Sequence, residues 1–151
     1  MVSLVDIDEH NWLEVIALSV AETQRRFVAT AVGVLARAYA LRRCNAQACA
    51  ISADGTLVGL LMVRDLDEPP ACYELQQLLV DQRYQNRGYG QQALALVLER
   101  LAAERRYDCV EVCVHREDSA ALHLYQKAGF ADTGYIDPDL PDFRNWRYDF
   151  S

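Results

Sequence analysis

Leu78 to Leu98 reads LLVDQRYQNRGYGQQALALVL, and the fold turns on this stretch. Leu78-Leu79-Val80 is an apolar run that closes a buried strand. Asp81 to Gln85 is a polar turn. Gln85-Asn86-Arg87-Gly88-Tyr89-Gly90 follows, and a helix-forming run, Gln91 to Arg106, comes directly after it. A strand, a glycine-bearing loop and a helix N-terminus together make an anion cradle. The first N–H groups of a helix lack internal partners and carry the positive end of its dipole. Glycines let the backbone approach the anion with no Cβ in the way. No Gly-Lys-Ser/Thr follows, so this is not a Walker A loop. Gly88 and Gly90 stand without the third glycine of the dinucleotide fingerprint. An ordinary tight strand-to-helix turn has the same outline, so the rest of the chain must decide.

The 151 residues suit one domain, residues 1–151, with room for a core that needs no metal or disulfide staple. At 52% hydrophobic and 25% charged the composition is that of a globular chain. No apolar run is long enough to span a bilayer, and Met1 to Asp6 lacks the basic start and apolar core of a signal peptide. A cytoplasmic location, with no membrane partner, is the expectation. The net charge of −7 argues against nucleic acid as a partner and suits a cationic small substrate. Cys44, Cys49, Cys72, Cys109 and Cys113 are odd in number and contain no Cys-x-x-Cys pair. They read as reduced, small apolar residues. His10, His115 and His123 are scattered, so no metal is expected.

Taken in order, Val2 to Ile7 alternates and predicts a strand. Asp8 to Leu18 predicts a helix capped by Asp8, with Trp12, Leu13, Val15, Ile16 and Ala17 on its apolar face. Glu22 to Phe27 is a polar connection and a candidate substrate lip. A second helix falls within Val28 to Arg43, with Val32, Leu35, Ala36, Tyr39 and Ala40 on its face. Ala46–Ser52 and Thr56–Arg64 predict a hairpin through Asp54-Gly55. Cys72–Val80 is the strand that enters the loop. The central helix presents Ala93, Leu94, Val97, Leu98 and Leu101 to the core. Cys109–Val114 is a strand and Asp118–Ala128 a helix, capped by Asp118 or Ser119 and stopped by Gly129. Phe130–Ile136 and Asn145–Phe150 predict a closing strand pair around an acidic loop holding Asp137, Asp139 and Asp142. The order β-α-α-β-β-β-α-β-α-β-β predicts an α/β (α+β) fold, a mixed central sheet of about six to seven strands flanked by about four helices.

Three motifs give this order a family likeness. Gln85-x-x-Gly88-x-Gly90 resembles the pyrophosphate loop of the GNAT N-acetyltransferases. Leu124-Tyr125-Gln126-Lys127-Ala128-Gly129-Phe130 resembles their Leu-Tyr-x-Lys-x-Gly-Phe signature. Glu74-Leu75-Gln76-Gln77-Leu78-Leu79-Val80 is similar to their Glu-Leu-x-x-Leu-x-Val strand. The motifs stand in family order from Glu74 to Phe130, and the element order matches the rest of the GNAT fold. The departures are Asn86, where the family often has Gly, and Asp118, where it often has Asn. Asn tolerates left-handed backbone. A carboxylate only accepts hydrogen bonds, so any contact that the amide would donate is lost at Asp118. Gln24 to Ala29 with the helix after it also resembles bacterial spermine/spermidine acetyltransferases.

The resemblance implies acetyl-CoA as cosubstrate. It implies backbone contacts to the pantetheine from Leu78, Leu79 and Val80. N–H groups of Gln85, Asn86, Arg87, Gly88, Tyr89, Gly90 and Gln91 would take the pyrophosphate, and Asp118 either contacts the cofactor or only caps its helix. Arg83, Arg87 and Lys127 either assist the phosphates or are solvated. Acetyl transfer needs the ammonium deprotonated, the oxyanion stabilised and the thiolate protonated. Tyr125, matching the family tyrosine, is the candidate acid; the alternative is a packing tyrosine. Glu74 is the candidate base, through water, or else a solvated strand carboxylate.

The leading function is acetyl transfer to a primary amine, a polyamine or other small cationic amine. A protein N-terminal or lysine acetyltransferase and a non-catalytic acyl-CoA sensor are the alternatives. Homodimers are frequent in the family, so the resemblance raises that partner as well.

Overall fold

The computed structural model describes residues 1–150; Ser151, the last residue of the expected domain, lies outside them. Seven strands and four α-helices follow the sequence-derived order: β1 (Val2–Asp6), α1 (Trp12–Ile16), α2 (Ala31–Ala40), β2 (Gln47–Ala53), β3 (Thr56–Leu66), β4 (Cys72–Val80), α3 (Tyr89–Glu104), β5 (Cys109–His115), α4 (Ser119–Ala128), β6 (Ala131–Asp132) and β7 (Phe143–Asp149). They form one sheet in the order β1-β2-β3-β4-β5-β7-β6. Every neighbouring pair is antiparallel except β4 and β5. Among the described residues, no helix is long and apolar enough to cross a membrane.

Period-2 alternation sends the strands' apolar residues to two cores. Ile51, Val58, Leu61, Val110 and Val112 pack with the face of α3 built from Ala93, Leu94, Val97, Leu98 and Leu101. Ala50, Leu60, Met62 and Leu79 pack with Val15, Ala31 and Val34 of α1 and α2.

β4 carries the feature that shapes the site. Its register against β3 slips between Met62↔Gln77 and Val63↔Leu75, leaving Gln76 as an extra residue. A bulge flips the face of every residue beyond it. Tyr73 and Leu75 therefore face the α3 core together with Leu78, while Leu79 turns to the α1–α2 core. A bulge also bends its strand. Parallel pairing with β5 is limited to Tyr73↔Val110 and Glu74↔Glu111, and β4 leaves β5 beyond that point. On the other side, Gly59 lets β3 stay close: a Cβ there would collide with the Leu79 carbonyl oxygen.

Several boundaries and faces differ from the sequence-based expectation. α1 is shorter and begins at Trp12, and Asp8 does not cap it. The Asp8 carboxylate instead accepts from the His10 N–H (2.8 Å), and the Asp8 N–H donates to Asn11 Oδ1 (2.9 Å). Trp12 and Leu13 are 45% and 63% exposed, and burial falls to Val15 and Leu18. α2 is capped by Thr30, whose hydroxyl accepts from the Gly33 N–H (3.0 Å). Ala31 and Val34 are buried against the sheet, while Val32 and Tyr39 face solvent. α3 begins two residues before Gln91. The expected strand Phe130–Ile136 contracts to Ala131–Asp132, because Gly134 takes a positive φ of 79° and turns the chain away.

Candidate active site

The chain leaves β4 at Val80 through a braced turn. Asp81 is buried, and its carboxylate accepts from Ser19 N–H (2.9 Å), Arg83 N–H (2.9 Å) and Arg83 Nε (2.8 Å). Burial acts to raise its pKa, but the hydrogen bonds from Arg83 and Ser19 outweigh it and hold the carboxyl below its ordinary value. Arg83 is thus spent on Asp81 and brings no free charge to the loop.

Next, the Gln85 side-chain amide donates to the Val80 carbonyl (2.9 Å) and to Gln24 Oε1 (2.8 Å). Gln24 Nε2 donates back to Gln85 Oε1 (3.2 Å). Asn86 sits at φ 64°, the left-handed region that its side chain tolerates better than most. Gly88, at φ 82°, is the N-cap residue of α3 and offers no side-chain cap. The first helical bond runs from Gln92 N–H to the Gly88 carbonyl (3.1 Å). The N–H groups of Tyr89, Gly90 and Gln91 are left at a free, electropositive helix end.

A cavity of about 410 Å³ opens in front of this helix end, between the diverging β4 and α4. Leu78, Leu79, Val80, Gln85, Asn86, Gly88, Tyr89, Gly90, Gln91 and Asp118 all line it. Arg87 does not; it is exposed, and its guanidinium lies 5.8 Å from the Tyr84 ring centroid. Lys127 does line it, together with Tyr84, His123 and Leu124, which the sequence reading left out. A Cβ on Gly90 would meet nothing nearer than Val80 Cγ2 at 3.7 Å, so this glycine enlarges the cradle rather than relieving a clash. Free N–H groups, an apolar channel along an unpaired strand edge and this opened cradle fit a pyrophosphate on an extended amide-bearing arm.

A second cavity of about 600 Å³ lies on the other side of the β4–β5 opening. Arg26 and Phe27 of the expected lip wall it, with Glu74, Cys113, His115, Tyr125 and Asp137. Glu74 is held by Arg64 Nε (2.8 Å) and by Gln76 Nε2 (3.4 Å). Arg26 pairs with Glu117 (2.6 Å) at the rim. The His115 ring stands between Phe27 and Phe143, at centroid distances of 5.0 and 5.1 Å. Its Nδ1 accepts from the Glu117 N–H (3.1 Å). Burial pushes the Cys113 thiol up to about 11, and Glu74 and Asp137 add to the shift, so it is no thiolate nucleophile at neutral pH.

Tyr125 is buried against Phe130, ring edge to face at 5.2 Å. Its hydroxyl makes no hydrogen bond among the described residues. Burial, and then the Asp118 carboxylate, push the phenol above the ordinary tyrosine value, so it stays protonated. Asp118 caps α4, accepting the Ala121 N–H on Oδ1 (3.2 Å). Burial raises its carboxyl, against the opposing pull of that N–H and of His115. Phe27, Val28, Leu78, Asp118 and Ala121 wall both cavities.

Comparison with known proteins agrees with this geometry. Over 80 residues the chain is 35% identical to the mycothiol acetyltransferase of Tsukamurella paurometabola, covering 53% of this chain and 27% of that protein. Over 89 residues it is 28% identical to the spermine/spermidine N(1)-acetyltransferase of Bacillus subtilis, covering 56% of this chain and 59% of that one. The chain thus spans under two thirds of both curated relatives. The spermidine N-acetyltransferase of Vibrio cholerae, solved with CoA and spermine, superposes with a TM-score of 0.77 at 14% identity, over 98% of this chain and 95% of that one. At that identity the likeness speaks for the fold alone. Residues 12–130 match the acetyltransferase (GNAT) family, and with the β4–β5 opening and the uncapped α3 end in place, the chain belongs to that family.

Proposed function

We propose that this chain transfers the acetyl group of acetyl-CoA to the primary amine of a small cationic acceptor, with polyamines as the leading class. The observation that carries the reading is the meeting of the two cavities at Phe27, Val28, Leu78, Asp118 and Ala121, which lets a thioester and an amine approach from opposite sides. The pyrophosphate would rest on the backbone N–H groups from Gln85 to Gln91. The side chain of Gln85 is committed to Val80, so its share is through the backbone. The pantetheine would run along the edge of β4 at Leu78, Leu79 and Val80, completing the pairing that β5 gives up. Tyr125, kept protonated, would hand its proton to the departing thiolate.

Asp118 and Asp137 face the acceptor cavity without a cationic partner among the described residues, which favours a cationic acceptor. The names of the Bacillus and Vibrio relatives point the same way. Glu74 is committed to Arg64, and the pair forms part of the wall against which the acceptor is held. The test is a turnover assay with acetyl-CoA against spermine, spermidine, amino acids, aminoglycosides and peptides. The highest kcat/KM should fall to a polyamine. Turnover of peptides alone would move the assignment to protein acetylation, and CoA binding with no turnover would make the chain a sensor.

A further inference from the structure

Acetyl transfer, if this chain performs it, needs a group that takes the ammonium proton where the two cavities meet. Among the carboxylates of the acceptor cavity, Glu74 and Asp137 line that cavity alone, whereas Asp118 lines both. Glu74 is paired with the Arg64 guanidinium, whereas Asp118 has no ion-pair partner among the described residues; each carboxylate keeps one oxygen without a hydrogen bond. Glu74 stands four residues before Leu78, on the far side of the bulge at Gln76. Asp118 has Oδ1 fixed by the Ala121 N–H, while no hydrogen bond to Oδ2 forms among the described residues.

Its relation to Tyr125 follows from helix geometry. Asp118 is the N-cap of α4 and Tyr125 stands two turns further on, about 10.5 Å along the axis, and both line the acceptor cavity. A helical tyrosine points back toward the N-terminus, which brings its hydroxyl toward the cap. The Asp118 carboxylate helps to raise the Tyr125 phenol, which agrees with that approach.

We propose that Asp118 is a catalytic residue that takes the proton of the acceptor ammonium, working with Tyr125 across the junction of the two cavities. The inference rests on the acetyl-transfer reading. An N–H bond of the ammonium breaks and an O–H bond forms on Asp118. The freed nitrogen pair attacks the thioester carbonyl and a C–N bond forms. As the C–S bond breaks, its electron pair goes to sulfur, which takes the Tyr125 hydroxyl proton. The Asp118 proton restores the phenol, and the second nitrogen proton leaves to solvent. Both residues end as they began. The amide that relatives often carry at this position could not accept a proton, so the carboxylate is a property of this chain. Burial raises the Asp118 carboxyl, which brings a carboxylate closer to the range useful for a base. The other charged or titratable groups lining the acceptor cavity are His115 and Cys113 from β5, Tyr125 from α4, Glu74 from β4, Arg64 from β3, Arg37 from α2, and Arg26, Tyr135 and Asp137.

The test is Asp118→Asn, which keeps an oxygen for the Ala121 N–H and so keeps the cap. With spermidine near neutral pH, kcat/KM should fall by about 10² to 10⁴. With trifluoroethylamine, whose amine arrives neutral, the loss should shrink to a few-fold, and the rate on spermidine should climb with pH past the parent's plateau. The acetyl-CoA thermal shift should match the parent's, which separates this outcome from misfolding or lost cofactor binding. Equal losses on both amines at every pH, or parental turnover with spermidine, would overturn the proposal. A parent chain that binds CoA yet acetylates no amine would overturn the acetyl-transfer reading itself, a failure visible before any substitution is made.

Discussion

The side-chain amide of Gln85 reaches back five residues and donates to the carbonyl oxygen of Val80 at 2.9 Å. The glutamine that opens the loop motif is therefore a brace. It joins the last residue of β4 to the turn before α3, and through Gln24 it ties in the lip. Gln85→Leu fills similar space and cannot donate. It should cost about 1–3 kcal/mol of stability, the usual penalty for a carbonyl left unpaired. It should also weaken acetyl-CoA binding by misplacing the helix end, and thermal denaturation with and without the ligand reads both effects.

Tyr125→Phe removes one hydroxyl and keeps the ring against Phe130. The hydroxyl has no protein partner among the described residues, so stability should change little. Turnover should fall by about 10² to 10⁴, with acetyl-CoA affinity nearly unchanged, because the proton is needed only as the thioester breaks. Steady-state kinetics beside a CoA titration separate the two. Parental turnover in this variant would remove Tyr125 as the acid.

Glu74→Gln removes the partner of Arg64 in a pair that is largely shielded from solvent. With Asp118 as the base, the loss in kcat/KM should be uniform across pH and appear mainly in KM. A loss concentrated near neutral pH and rescued at high pH would return the proton to Glu74.

Asp81 links stability to pH. Its folded-state pKa lies below the ordinary value near 3.8, so the stability it contributes is complete above that value. That stability is lost as pH falls through the lower folded value. Asp81→Asn should lower the melting temperature at neutral pH and flatten the decline of stability on the acid side of about pH 4. Melting curves from pH 3 to 7 check the slope.

Much of this architecture could be read in the chain because local and global signals agree. α3 is long, and its period buries Ala93, Leu94, Val97, Leu98 and Leu101 together, so its face was legible. The residues of the loop were legible for the same reason, since φ 64° at Asn86 and 82° at Gly88 are conformations that those residue types favour. The faces of α1 and α2 were not. Both helices are short and offer apolar residues on more than one stripe, and a choice one residue to either side is a turn of about 100° that only packing on the sheet decides, as it does in leaving Val32 and Tyr39 outside. The bulge at Gln76 has no glycine to mark it. Its one trace is the polar pair Gln76-Gln77 interrupting the alternation of β4. The placement of Asp118 on both cavities is a tertiary fact, set by where α4 lands on the opened sheet.

The two register pairs that join β4 to β5 give the sheet a weak seam. On one side lie β1 to β4, and on the other β5 and β7, each group stitched internally by longer antiparallel ladders, with the two-residue β6 on the outer edge of β7. Such a seam divides a protein into cooperative units that open at different free energies. A ligand lying in the seam, as proposed, would bond to one unit and pack on the other, so its binding energy would be drawn into their mutual stability. Amide exchange in β5 and β7 should slow as acetyl-CoA is added, while exchange in β2 and β3 follows global unfolding. On the proposed reading, the cosubstrate would become, in folding terms, the missing rung between two half-sheets.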